Sequence, residues 1–256
     1  MINKKQILWG ITDSEDKLFL SKMCDIAAKS INTGRVMYSK FLNPGQRLLA
    51  ESRFSNEIPI SYFGGYDGAD RTVAAFGSLD GNTDFPICAV KITAKNKSVY
   101  SHRDYLGSLL SLGITRELLG DIVINDSYAV LFCTTEISEF IITNLTRVAS
   151  AGVKLERIDN LSGLNIQRQF KELSLTVSSM RFDCVLSAVC GKSRSEISSL
   201  IGQGLAFINH SAVKNVSAHI KSGDVLSLRG FGKVIIETDN TVTRKGRIHI
   251  SVKKYI

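Results

Sequence analysis

Between Phe85 and Leu161 the hydrophobic period switches repeatedly between two residues and about 3.6, and the order of those switches limits the possible folds more than any other feature. Ile87 to Ile92 reads as a strand, Arg103 to Leu112 as a helix, Asp121 to Asn125 and Tyr128 to Cys133 as strands, Glu136 to Ala149 as a helix and Val153 to Ile158 as a last strand. The succession is β-α-β-β-α-β, the split βαβ or ferredoxin-like arrangement. Asn125-Asp126-Ser127 carries the turn chemistry that pairs the two middle strands as a hairpin. Many RNA-binding modules have this fold, but so do unrelated proteins, and the aromatic strand signature of an RNA recognition motif is missing.

The flanks read differently. Asp13-Ser14-Glu15-Asp16 offers a cap and N-terminal acids, and Leu18, Phe19, Met23, Ile26, Ala27 and Ser30 follow with helical period until Asn32-Thr33-Gly34. A second helix is predicted after Asn43-Pro44, with Leu48, Leu49 and Phe54 on its buried side. Phe63-Gly64-Gly65-Tyr66-Asp67-Gly68-Ala69-Asp70-Arg71 lacks both the spacing and the preceding strand of a dinucleotide loop, and reads as a structural turn. The expected class is therefore α+β and multi-domain. A mainly helical domain spans residues 1–80, a ferredoxin-like domain 81–165, a linker containing one strand (Phe170 to Val177) 166–180, and a basic module 181–256.

That last module stands out by charge. Residues 1–180 hold 20 Lys and Arg against 19 Asp and Glu, whereas residues 181–256 hold 12 against 5. A local basic excess inside foldable sequence is the footprint of a polyanion partner, though charge alone equally describes a solvated basic face. The five cysteines are odd in number and never spaced as Cys-x-x-Cys, which indicates neither a disulfide framework nor a zinc site. No apolar run approaches a signal peptide or a membrane span, so a reducing, cytoplasmic setting without membrane contact is expected.

Within the module, Phe182, Val185, Leu186 and Val189 form the buried stripe of a short helix that Gly191 ends. Ser193-Arg194-Ser195-Glu196 is a capping box that opens a second helix, buried through Ile197, Leu200 and Ile201 and closed by Gly202-Gln203-Gly204. Ser193, Arg194 and Ser195 thus flank a helix start whose N–H groups favour phosphate, and a guanidinium can take two phosphate oxygens at once. Ser193 by itself is sufficiently explained as a cap. Leu205 to Asn209 reads as a strand, and Ser222-Gly223-Asp224 turns into another, Val225 to Arg229. Candidate RNA contacts are Arg181, Lys192, Ser193, Arg194, Ser195, Gln203, Asn209, Lys214, Lys221, Arg229 and Lys233. Of these, Arg181, Lys192, Arg194 and Lys233 are expected to share one phosphate-contacting face.

Arg181-x-Asp183-x-x-Leu186, Ser193-Arg194-Ser195, Leu200-Ile201-x-x-Gly204, Ile208-Asn209 and Gly223-Asp224-Val225 together resemble the S-four domain, the small RNA-binding domain named after the fourth protein of the small ribosomal subunit. Phe182 stands where that family usually has Leu, and His210 follows Asn209 where Gly is frequent. Nearly the whole chain resembles the YlmH-type RNA-binding proteins of bacteria and plastids. The residues that carry this likeness are Tyr62-Phe63-Gly64-Gly65-Tyr66 with Ala69-Asp70-Arg71, His102 to Ile114 with Leu119-Gly120-Asp121-Ile122, Arg229 to Lys233, and Arg244 to Ile248. The resemblance implies a C-terminal S-four domain with the αL motif. It also implies association with the large ribosomal subunit carrying peptidyl-tRNA, through rRNA or tRNA, in handling stalled nascent chains.

Nothing in the chain demands catalysis. His102-Arg103-Asp104 imitates a kinase loop, but Leu109 occupies the metal-binding Asn position, and Ser101-x-x-Asp104 reads better as a capping box. The four histidines show no metal spacing. A non-enzymatic RNA binder, monomeric off the ribosome and with no cofactor, metal or small-molecule substrate, is expected. The rival readings are an RNA-modifying enzyme of the pseudouridine synthase or methyltransferase type, since S-four domains accompany those enzymes, and a DNA-associated factor.

Overall fold

The computed structural model describes residues 2–78, 84–96, 98, 100–164, 166, 170–238, 241–244 and 246–255. It divides into two compact units, Met1–Ile166 and Gln167–Ile256. The fold class is α+β.

The first unit opens with α1 (Lys4–Ile7) and α2 (Ser14–Thr33). The Asp13 carboxylate accepts the N–H groups of Glu15 and Asp16, each at 2.9 Å, and Gly34 ends α2 at φ +62. β1 (Met37–Leu42) leads into α3 (Pro44–Phe54), which starts on a reciprocal Asn43/Gln46 capping box with Pro44 at its first position. β2 (Ile60–Phe63) and β3 (Thr72–Phe76) follow, and the antiparallel order is β1-β3-β2. The segment expected to be mainly helical thus also builds a three-stranded sheet. β1 pairs with residues 30 to 39 positions downstream, and a pairing that distant leaves little trace in a local hydrophobic period.

β4 (Ile87–Ala94), α4 (His102–Leu110), β5 (Leu119–Ile124), β6 (Ala129–Thr134), α5 (Thr135–Asn144), β7 (Arg147–Val148) and β8 (Ala151–Ile158) come next. They form an antiparallel sheet of order β5-β6-β4-β8-β7. The Asn125 N–H donates to the Tyr128 carbonyl at 2.8 Å and closes the middle hairpin. α5 stops at Asn144, short of the expected Ala149: Leu145 leaves the helical region at φ −79, ψ 88, and Arg147–Val148 form β7.

Alternating burial stacks this unit in four layers. Ala74 and Phe76 of β3 pack on α2 and α3. Val73 joins Phe41, Ala89, Val130 and Phe132 between the two sheets. Cys88, Val90, Leu131 and Cys133 pack on Tyr105, Leu109 and Ile141 of α4 and α5. All five cysteines are free thiols, four of them buried. Among the described residues no helix is long and apolar enough to cross a membrane.

The second unit comprises β9 (Phe170–Val177), α6 (Phe182–Cys190), α7 (Arg194–Gly202), β10 (Ala206–Ile208), β11 (Ser211–Ala212), β12 (Val225–Leu228), β13 (Gly232–Glu237) and β14 (Ile248–Tyr255). The sheet order is β11-β10-β12-β13-β14-β9. β9 pairs with β14 along its full length, from Phe170↔Tyr255 to Val177↔Ile248. The strand expected in a linker is therefore an edge strand of this sheet; its partner residues lie 71 to 85 positions downstream. Val234, Ile236, Ile250 and Val252 pack on Phe182, Leu186, Ile197 and Ile201 of the two helices.

Candidate nucleic-acid interface

α6 and α7 meet at a short turn. Gly191 takes φ +64 at the end of α6, a conformation open to glycine because it has no Cβ. Ser193 then opens α7: its Oγ accepts the Glu196 N–H at 3.2 Å, and the Glu196 carboxylate accepts the Ser193 N–H at 3.0 Å. That backbone bond, with the Ser193 hydroxyl and Lys192, holds the Glu196 carboxyl below its ordinary range. The capping box predicted from sequence is present. It sets Arg194 at the first helical position, off the Ile197/Ile201 stripe.

Asp183 organises the junction. This residue of the first turn of α6 is 3% exposed. Arg181 donates through Nε to Oδ1 at 3.1 Å and through Nη2 to Oδ2 at 3.3 Å. Arg194 donates through Nε to Oδ2 at 3.2 Å, with a second close contact from Nη2. The Cys184 N–H adds a bond of 2.9 Å. Burial pushes the Asp183 carboxyl up, but the hydrogen bonds and charges of the two arginines outweigh it and hold the group below its ordinary value. The arginines keep capacity for a ligand, since their side chains are 43% and 54% exposed. Each guanidinium has five N–H donors and gives two to Asp183. The result is a pair of pre-oriented cations at a helix start, an arrangement suited to phosphate oxygens.

Lys192 and Ser195 lie at this helix start, and the remaining predicted residues are spread over the unit. Lys192 pairs with Glu196 at 3.5 Å, and Ser195 Oγ lies 3.0 Å from Ser193 Oγ. Gln203 caps the far end of α7, with its amide on Ser199 Oγ at 3.1 Å. Lys221 is exposed, and its N–H donates to Asp224 at 2.7 Å. Lys214 is exposed in the loop after β11.

Asn209 has a structural task. With His210 it forms the two-residue turn between β10 and β11, at φ +47 and +68, the positive-φ pair of a type I′ hairpin. Its side chain donates to Asp224 at 2.8 Å and accepts the Val225 N–H at 2.9 Å, tying Ile208-Asn209 to Gly223-Asp224-Val225. His210 therefore takes the left-handed backbone that glycine frequently supplies there.

Lys233 and Arg229 lie elsewhere. Val234 and Ile236 face the helices, so the period of two turns Lys233 to the opposite face of the sheet, in a cross-strand row with Ser227 and Phe207. The Arg229 guanidinium stands 5.9 Å from the Phe207 ring on that side. The single face expected from Arg181, Lys192, Arg194 and Lys233 is thus corrected: Lys233 is not part of it, because strand alternation separates it from the helix junction. The residue that sequence reasoning missed is Asp183. Its signal was an acid directly after the first residue of the apolar stripe of a short helix, two residues from one arginine.

The glycine-rich turn of the first unit is a latch. Tyr66 donates its hydroxyl to Asp121 at 2.8 Å, and the N–H groups of Asp70 and Arg71 donate to the same carboxylate at 2.8 and 3.1 Å. The Arg71 guanidinium donates to the carbonyls of Leu119, Phe41 and Arg116 at 2.8 to 3.1 Å, joining the two sheets. Burial lowers this guanidinium to about 10. Asp67 is an exposed turn residue. Among the described residues no group of three or more His, Cys, Asp or Glu could hold a metal.

Residues 81–162 match a family model described as "Putative RNA-binding domain in YlmH". Over 226 residues the chain is 30% identical to "Ribosome-associated protein quality control protein P2" of Bacillus subtilis (strain 168), across 86% of this chain and 88% of that protein. Among solved structures, "Cell division protein ylmH from Streptococcus pneumoniae" is similar in fold, with a TM-score of 0.51 at 20% identity over 61% of this chain and 99% of that one.

Proposed function

Because the chain belongs to the YlmH-type RNA-binding family, we propose that it grips structured ribosomal or transfer RNA through the α6–α7 junction and performs no chemistry on it. The observation that carries this reading is the Arg181–Asp183–Arg194 cluster, two half-exposed guanidinia held by one buried carboxylate beside a capped helix start. The C-terminal unit is then an S-four-type module. The β5-β6-β4-β8 order, with its βαββαβ succession, supports a ferredoxin-like central domain. The site of action is the large ribosomal subunit carrying peptidyl-tRNA, in the cytoplasm, during quality control of stalled chains. The name of the Bacillus relative supports the ribosome-associated quality-control part of that reading. The chain works as a monomer off the ribosome, without cofactor, metal or small-molecule substrate.

Arg194→Ala should weaken binding of labelled tRNA across sequences and lower the slope of log affinity against log salt by about 0.7–0.9. Fluorescence anisotropy over a potassium chloride series measures both, and an unchanged slope would put the phosphate contact elsewhere. Incubation with bulk RNA followed by nucleoside analysis should yield no new base.

A further inference from the structure

Beside the arginine cluster, the C-terminal unit carries a cleft of about 490 Å³. Its walls are the chain after β9 (Ser178 to Arg181), the segment His219 to Ser222, Thr238 after β13, and Ile248 at the start of β14. Arg181 and His219 are locked together as an isolated antiparallel bridge, and the Ile220 N–H donates to the Met180 carbonyl at 2.8 Å. The walls on either side of that bridge are therefore fixed relative to each other.

We propose that this cleft receives one unpaired, phosphorylated ribonucleotide of the bound RNA. This rests on the RNA-binding reading above and adds to it a site and a preference. Arg181 and Lys221 bring cationic side chains for the phosphate, and no carboxylate lines the cleft among the described residues. His219 is exposed and offers the ring on which an unstacked base can lie. Met180 and Ile220 are buried and give an apolar floor, while the hydroxyls of Ser178 and Ser222 can reach the polar edge of a base or ribose. The volume suits a nucleotide and exceeds what a bare phosphate needs. Arg181 belongs both to this cleft and to the Asp183 cluster, so an RNA backbone held at Arg194 passes directly to the mouth of the cleft.

The test compares the full-length chain on two RNA hairpins of equal length, one fully paired and one with a single bulged nucleotide. The bulged hairpin should bind about tenfold tighter, the worth of one base stacked on one ring. His219→Ala should erase that preference and leave affinity for the paired hairpin unchanged, whereas His219→Phe, which keeps a ring, should retain it. His219 is exposed, so neither variant removes core packing. Equal binding of both hairpins by the wild type, or a preference that survives His219→Ala, would overturn the cleft assignment and leave the RNA-binding reading standing. Failure to bind either hairpin would overturn both. Ribonucleoside monophosphates alone should bind at millimolar concentration or above. Micromolar binding that His219→Ala abolishes would assign the cleft to a free nucleotide and overturn its assignment to RNA.

Discussion

Asp183→Ala should lower the unfolding free energy of the C-terminal unit by about 2–3 kcal/mol at neutral pH. Removing one partner of a buried charge cluster costs roughly 3–5 kcal/mol, and the lower figure applies because the outer halves of Arg181 and Arg194 stand in water. Loss of hydrogen-exchange protection in β12, β13 and β14 as urea rises reads that unit separately. The pH dependence follows from the depressed carboxyl. Its contribution is complete above the ordinary value of 3.8 and is lost as pH falls below it through the folded value, so wild type and variant should converge there. Binding tests the same residue in a second way. The variant gains one unit of positive charge yet frees two arginines that must then be ordered on the RNA. Affinity should fall about five- to tenfold, since ordering each side chain costs roughly 0.5–1.5 kcal/mol. A rise in affinity would show that net charge outweighs orientation at this junction.

Gly65→Ala should destabilise the first unit still more, by about 3–5 kcal/mol. Two penalties add. Gly65 sits at φ +100, where a side chain strains the backbone by roughly 1–3 kcal/mol, and its Cβ would lie 2.2 Å from the Phe132 ring, an overpacking of similar cost. Phe132 cannot yield, because it is fully buried and stacks on Tyr66 with ring centroids 4.9 Å apart. Thermal unfolding followed by circular dichroism should fall by about 10 °C or more. Gly68→Ala is the control: φ is +78 with nothing within 4 Å, so only strain of about 1–2 kcal/mol remains. Equal losses in the two variants would show that the approach to Phe132 contributes nothing.

These cases separate what local sequence carried from what it could not. The Asp13, Asn43, Ser101 and Ser193 caps were legible because a cap is a contact over two or three residues, and the structure contains all four. The six central elements were legible because each spans enough residues for its period to show. β1 was not foreseen, and β9, foreseen as a strand over Phe170 to Val177, was assigned to a linker, because their partners lie 30 to 39 and 71 to 85 residues away and no local signal reports a pairing partner. The Gly64-Gly65 segment read as a turn. Its use as a latch on Asp121 needed the two sheets to be brought together first.

The sequence by itself determined the α+β class, the helix starts, the basic C-terminal excess and the individual candidates Arg181 and Arg194. Each of these is a property of composition or of neighbours along the chain. Only the tertiary structure decided which candidates act together. Strand alternation sends Lys233 and Arg229 to the far face of the sheet, and the turn between α6 and α7 brings Arg194 onto Asp183, eleven residues earlier. A buried carboxylate collects its counter-ions through space, and which cations it finds is set by how the chain packs.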